Sequence, residues 1–220
     1  MSPEDRPVAS PLAVLSRARL LPAISPLNEV VVSDWADACV ASGVPALELL
    51  LRGEGAEPAA FAAITRLTRS HPSLAVGVGT VFDADTARRA IDAGARIVVS
   101  PIIDTATGAV CQAASVDWLP GAFTPTEIEL AERTGAHQVK LFPALAINAP
   151  AFLRSFLATR PASRIVPTNV SLEEILPLAA AGAAGFGVGE RLLEGATGAA
   201  AIEDRLRAAM RAAGGTPLHA

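Results

Sequence analysis

Residues 92–101 read DAGARIVVSP: a helix-like ending closed by Gly94, a short polar step, then an apolar run, Ile97 to Val99, stopped at Ser100 and Pro101. The same join recurs as ASGVPALELLL (41–51), RTGAHQVKLFP (133–143) and AAGAAGFGVG (180–189). Its glycines, Gly43, Gly94, Gly135 and Gly182, each suit the left-handed position just past a helix C-terminus. Successive joins lie far enough apart to hold two βα units, so further strands belong between them. The full reading is eight strands: Leu20 to Ser25, Ala46 to Leu51, Leu74 to Thr80, Ile97 to Ser100, Val116 to Leu119, Gln138 to Phe142, Arg164 to Pro167 and Ala184 to Val188. Helix starts are signalled by Asn28 with Val31, by Asp83, by Thr124 with Pro125 and Glu127, and by Ser171 with Glu173 and Glu174.

Strands buried on both faces read as apolar runs without alternation, as LELLL and RIVVS do. Eight alternating βα units in 220 residues predict an α/β chain folded as a single-domain (β/α)8 TIM barrel. The rival, an open doubly wound sheet, is favoured by a GxGxxG fingerprint, but GVGT at Gly77 to Thr80 lacks the third glycine. Met1 to Ser10 and Gly214 to Ala220 are polar or punctuated by Gly and Pro, and are expected to be loose ends.

A hydrophobic content of 51% supports a substantial core, and a net charge of -4 with scattered arginines leaves no basic footprint for nucleic acid. No apolar stretch reaches the about 20 uninterrupted residues of a membrane span, and the N-terminus lacks the pattern of a secretory signal. Cys39 and Cys111 have neither CxxC spacing nor nearby histidines. A cytoplasmic protein with reduced thiols is expected.

Of the eighteen Lys and Arg residues, only Lys140 is lysine. A guanidinium stays protonated, whereas a buried lysine can lose its proton and attack a carbonyl. Lys140 stands in the apolar run Val139 to Pro143, where an unused charge is expensive to desolvate. The alternative is an arginine-rich coding bias that missed one position.

A barrel gathers its catalytic groups at the C-terminal ends of its strands. Glu48 lies in the apolar run ALELLLR, and period two puts Glu48, Leu50 and Arg52 on one strand face. Glu and Arg therefore either serve the site or satisfy each other as an interior ion pair. Thr80 ends the third strand, Pro101 ends the fourth, and Phe142 shares the Lys140 side of the sixth; each also has a simple explanation as cap, turn or packing residue. His137, at an odd offset from Lys140, is expected to face away from the barrel axis. His71 sits in a turn and His219 in the tail, so no histidine triad or metal set is expected.

The ordered motifs ELLLR, GVGT, VVSP, LPGAFTPTE and VKLFPA resemble the 2-keto-3-deoxy-6-phosphogluconate aldolase family, which includes 4-hydroxy-2-oxoglutarate aldolases. The resemblance covers roughly Leu20 to Leu193. It implies a homotrimeric (β/α)8 barrel that uses no metal or other cofactor and releases pyruvate from an oxo-acid substrate through a Schiff base. On matching positions it makes Lys140 the imine-forming amine and Glu48 the general acid/base. Arg52 and Thr80 would hold the pyruvate carboxylate, and Pro101 and Phe142 would line the pocket. The residue types suit that chemistry, since burial and the charge of Arg52 both free the Lys140 amine.

The chain departs from the family at its phosphate site, a glycine-rich turn after the seventh strand and a Gly-Ser pair at the start of the last helix of the barrel. Here the candidate substrate-binding residues are Thr168 and Asn169, followed by Val170, at the first place, and Gly189 and Glu190 at the second. Residues 145–148 (LAIN) also stand where the family often carries a polar or acidic residue. Glu190 either places negative charge in the anion site or points outward as a first-turn carboxylate. The expectation is a pyruvate-releasing aldolase with an unphosphorylated acceptor aldehyde. The alternatives are an oxo-acid-binding homologue without turnover and a different barrel lyase or isomerase.

Overall fold

In the computed structural model, residues 16–193 and 197–218 are described, apart from the side chains of Glu190 and Leu193. Among these residues the strands are β1 (Leu20–Ile24), β2 (Ala46–Leu50), β3 (Ala75–Gly79), β4 (Ile97–Val99), β5 (Asp117–Leu119), β6 (Gly121–Ala122), β7 (Val139–Leu141), β8 (Ile165–Val170) and β9 (Phe186–Val188). The α-helices are α1 (Glu29–Ser42), α2 (Ala56–Ser70), α3 (Ala84–Asp92), α4 (Thr105–Ala113), α5 (Pro125–Arg133), α6 (Ala149–Thr159), α7 (Leu172–Ala180), α8 (Glu190–Leu193) and α9 (Ala199–Ala213).

The helices begin where the sequence places oxygen acceptors for orphan amides. Asn28 Oδ1 accepts from the N–H groups of Val30 and Val31, and Asp83 Oδ1 accepts from that of Thr86 at 2.8 Å. Thr124 and Glu127 form a reciprocal capping box before α5, with Pro125 at the start of the helix. At the other ends the four join glycines all have positive φ: 76° at Gly43, 107° at Gly94, 94° at Gly135 and 96° at Gly182. An L side chain there would be strained, so glycine releases the chain from each helix into the next strand.

All strand pairs are parallel, in the order β5-β4-β3-β2-β1-β9-β8-β7-β6. The two ends of that order, β5 and β6, are consecutive in the chain and separated only by Pro120. β5 is the expected fifth strand, Val116 to Leu119, and β6 continues the same stave beyond its expected end. Proline cannot donate to a ladder, so the strand breaks there: β5 pairs with β4, and β6 pairs with β7. This interrupted stave closes the eight-stave (β/α)8 barrel.

A second difference is in β8, expected to stop at Pro167. It continues to Val170, with Thr168 opposite Gly187 and Val170 opposite Val188. Two residues of β8 thus match one step of β9, leaving Asn169 as a bulge. Val170 is fully buried in the main core, where its branched side chain favours the extended strand.

Most of the core lies between the strands and the surrounding helices. A smaller cluster fills the barrel interior: Leu21, Ala46, Ala75, Ile97, Val99, Leu119 and Val166. It forms the apolar floor beneath the strands' C-terminal ends. No helix among the described residues is long and apolar enough to cross a membrane.

Residues 214–218, read from the sequence as part of a loose end, are held in place. Thr216 N–H donates to Arg17 O at 2.8 Å and Leu218 N–H to Gly43 O at 3.0 Å. A Cβ on Gly43 would lie 2.7 Å from that of Pro217, so the glycine that ends α1 also admits the returning tail. Arg19, at φ 60°, donates to the carbonyls of Ala183 and Ala213. Met1–Ser10, the other expected loose end, and His219–Ala220 lie outside the described residues.

Candidate active site

Parallel pairing carries the inward face of one strand to the next. Glu48 is opposite Gly77, which is opposite Ile97 of the interior floor. Lys140 is opposite Gly121 on one side and Val166, another floor residue, on the other. Acid and amine therefore both project into the barrel. Both are nearly sealed from water, with Glu48 3% and Lys140 4% exposed.

They border a cavity of about 390 Å³ at the C-terminal face of the barrel. Its wall is completed by Ala23 and Ser25 of and after β1, Leu50 and Arg52 of and after β2, Phe142 after β7, Thr168 and Asn169 of β8, and Gly187, Val188, Gly189 and Arg191 of and after β9. Lys140 Nζ stands 4.9 Å from the centre of the Phe142 ring.

Burial dominates the protonation of this pair. It lowers the Lys140 pKa, with Glu48 opposing and Arg52 reinforcing the shift. Burial also raises the Glu48 pKa against the opposing charges of Lys140 and Arg52. Each group is therefore driven towards its neutral form, an amine beside a carboxylic acid. Glu48 Oε1 has no hydrogen-bond partner among the described residues. A buried oxygen without a partner costs stability, and a role in binding or proton transfer accounts for keeping it there.

Gly79 makes room for this carboxyl. A Cβ there would overlap Glu48 Oε1 and lie 2.9 Å from Glu48 Cγ. This role of Gly79 is invisible in the GVGT motif itself, because the glycine's value comes from a neighbouring strand.

Arg52, beyond the end of β2, is exposed, and its Nε donates to Thr80 Oγ1 at 3.0 Å. Thr80 has a φ of 68°, a left-handed conformation costly for a β-branched residue. That backbone aims the hydroxyl at Arg52, although Thr80 is not among the cavity-wall residues. Pro101, expected on the wall, is not there either. Its carbonyl instead packs where a side chain on Gly121 would stand, at the crossing into the interrupted stave.

The rim after β8 and β9 is built differently. Asn169 is exposed, with φ 62°, and its carbonyl accepts from Arg191 Nη1 at 2.6 Å. Asn tolerates this conformation better than most non-glycine residues. Arg191 also pairs with Glu174 through Nη1–Oε2 at 2.9 Å and Nη2–Oε1 at 3.4 Å. Burial pushes the Glu174 carboxyl up, but hydrogen bonds from Ser171 and Arg191 together hold it below its usual range. Gly189 borders the cavity, whereas the Glu190 side chain lies outside the described residues. Arg191 was missed in the sequence, where its only signal was a base at the start of the segment following GVG.

His137 is exposed on the side away from the cavity. His71 pairs with Asp37 and Ser70 on the surface.

The family model "Aldolase: KDPG and KHG aldolase" matches residues 12–204. A 2-dehydro-3-deoxy-phosphogluconate aldolase of Pseudomonas aeruginosa is 38% identical over 159 residues, 72% of this chain and 70% of its own. A solved 4-hydroxy-2-oxoglutarate/2-dehydro-3-deoxyphosphogluconate aldolase is 34% identical with a TM-score of 0.81, covering 92% of this chain and 98% of its own. At 23% identity and TM-score 0.71, a KDPG aldolase of Legionella pneumophila shares the fold over 92% of this chain and 96% of its own; its structure captured pyruvate as a covalent carbinolamine.

Proposed function

The chain belongs to the KDPG and KHG aldolase family, and from that premise we propose that it cleaves a 4-hydroxy-2-oxo acid to pyruvate and an aldehyde through an imine on Lys140. The observation that carries this reading is the buried Lys140–Glu48 pair at the inner end of the cavity, with both groups driven towards neutrality.

The neutral Lys140 amine adds to the C2 ketone, and the carbinolamine loses water to give an iminium ion. Glu48 moves the protons of these steps. As carboxylate it takes the C4 hydroxyl proton while the C3–C4 electron pair flows into the iminium, giving the aldehyde and an enamine. The carboxylic acid so formed protonates C3, and water releases pyruvate from the lysine. Arg52 offers a planar fork to the C1 carboxylate, steadied by Thr80. Phe142 packs beside the reacting carbon, while Pro101 supports the closing stave. The reaction needs neither metal nor other cofactor, because the imine supplies the electron sink.

The acceptor aldehyde is unphosphorylated. In support, β8 runs through the place of the glycine-rich turn, committing Val170 to the core and to pairing with β9. A phosphate would lose much of the concave set of free amides that suits it. Retro-aldol rates on 2-keto-3-deoxygluconate, its 6-phosphate and 4-hydroxy-2-oxoglutarate test this reading. A plain substrate is expected to be the best of the three, and a strong preference for the phosphate would overturn it.

The assembly we infer is a homotrimer, supported by the exposed apolar side chains Phe82 and Ile102 on rim loops after β3 and β4. Light scattering should give three times the chain mass. The compartment is the cytoplasm, supported by two free, buried thiols; fractionation of the source cells tests it.

A further inference from the structure

Building on the aldolase reading, we propose that Arg191 is the specificity-determining residue of the distal end, recognising a terminal carboxylate on the aldehyde half of the substrate. Among the substrates known for the family this selects the 4-hydroxy-2-oxo diacid, with Arg52 taking its C1 carboxylate and Arg191 the distal one.

A guanidinium has five N–H bonds in a fixed plane. Nη1 gives its two to Asn169 O and Glu174 Oε2, and Nη2 gives one to Glu174 Oε1. The remaining hydrogens, on Nε and Nη2, share one edge, and among the described residues none accepts them. That edge is a side-on fork spaced for the two oxygens of one planar carboxylate. Arg191 and Arg52 both border the cavity that Lys140 and Glu48 enter, one following β9 and the other β2, with β1 between those strands. Its plane is fixed from behind by Glu174, whose Oε2 also accepts from Ser171 N–H at 2.7 Å in the cap of α7.

The same arrangement disfavours a phosphate. Glu174 offsets much of the Arg191 charge, and a phosphoryl group carries about -1.5 to -2 charges with three acceptor oxygens at neutral pH. One fork meets two of those oxygens and one charge. With β8 continued through the bulge at Asn169, side-chain recognition replaces the concave backbone site. A neutral polyol gains hydrogen bonds at the fork but no charge pairing.

The test is kcat/KM for pyruvate release from 4-hydroxy-2-oxoglutarate, 2-keto-3-deoxygluconate and its 6-phosphate, using the full chain and Arg191→Ala and Arg191→Lys variants. Melting curves establish that each variant is folded. The diacid should be the best wild-type substrate, and its advantage over the polyol acid should fall about 10- to 100-fold in Arg191→Ala, the scale of a lost charged hydrogen-bonding pair. The change should be in KM more than kcat, and lysine should restore only part of it because it lacks the fork.

A merely structural Arg191 would reduce cleavage of all three substrates alike, and that result overturns the proposal. So does wild-type preference for the polyol acid or the phosphate while pyruvate release remains intact. If none of the three yields pyruvate, the aldolase reading itself fails and this inference falls with it.

Discussion

The two ends of the cavity solve their binding problems with different parts of the fold. At the inner end, Glu48 and Lys140 project from β2 and β7 and are fixed by strand register above an apolar floor. At the distal end, Asn169 and Arg191 lie on a bulge and a short helix, held by one another and by Glu174. Side chains in the sheet cannot change direction without disturbing neighbouring strands. Those on connecting segments can change with less damage to the barrel. The division gives the reaction a rigid pyruvate end and a replaceable aldehyde end.

The largest break in that comparison should come from Lys140→Ala. Pyruvate release should fall by about 10⁴-fold or more, the scale of losing a covalent nucleophile. Steady-state assays on a folded variant check it, and substantial residual turnover would assign the imine elsewhere.

Gly79→Ala comes next. Its new methyl group invades the space of the Glu48 carboxyl, so kcat should fall by about 10²-fold or more as proton transfer is misaligned. The overpacked variant should also lose about 1–3 kcal/mol of stability, measurable by chemical denaturation. Full activity would mean that Glu48 relaxes without consequence.

Arg52→Gln should lower kcat/KM by about 10- to 100-fold through the lost charged contact to the substrate. Its pH profile is the more selective readout. Arg52 helps lower the Lys140 pKa. Removing that positive charge stabilises the ammonium, raises the lysine pKa and moves the acidic limb of activity to higher pH. A stationary limb would separate Arg52 from control of the amine.

Asn169→Gly gives the smallest expected change. Glycine accepts the left-handed φ, and relief of strain against added unfolded-state freedom should leave stability within about 1 kcal/mol of the parent. Exchange of pyruvate methyl protons with D2O, which uses only the inner end, should be affected less than retro-aldol cleavage. Equal slowing of both would erase the proposed division.

The sequence carried the barrel because its signals were local: glycines after helices, oxygen caps before them and apolar runs between. The inner end was legible for the same reason, since a lone lysine and a buried glutamate are conspicuous in apolar strands. Pro120 was visible, but its consequence was not. Only the pairing of β5 with β4 and β6 with β7 shows that it splits one stave without opening the barrel.

The distal end was less legible because cross-strand packing decides it. Val170 reads as a bulky residue at the anion turn, yet it turns into the core and extends β8. Arg191 acquires meaning only beside Asn169 O and Glu174, while Gly79 does so only under the Glu48 carboxyl. Pro101, expected to line the cavity, instead supports the stave crossing at Gly121.

Borohydride reduction of the full chain with pyruvate, followed by intact-mass and peptide mapping, tests the central claim most directly. The account predicts a gain of about 72 Da, pyruvate less water plus two hydrogens, on the peptide containing Lys140. No adduct on folded protein, or one confined to the N-terminal amine, would contradict it.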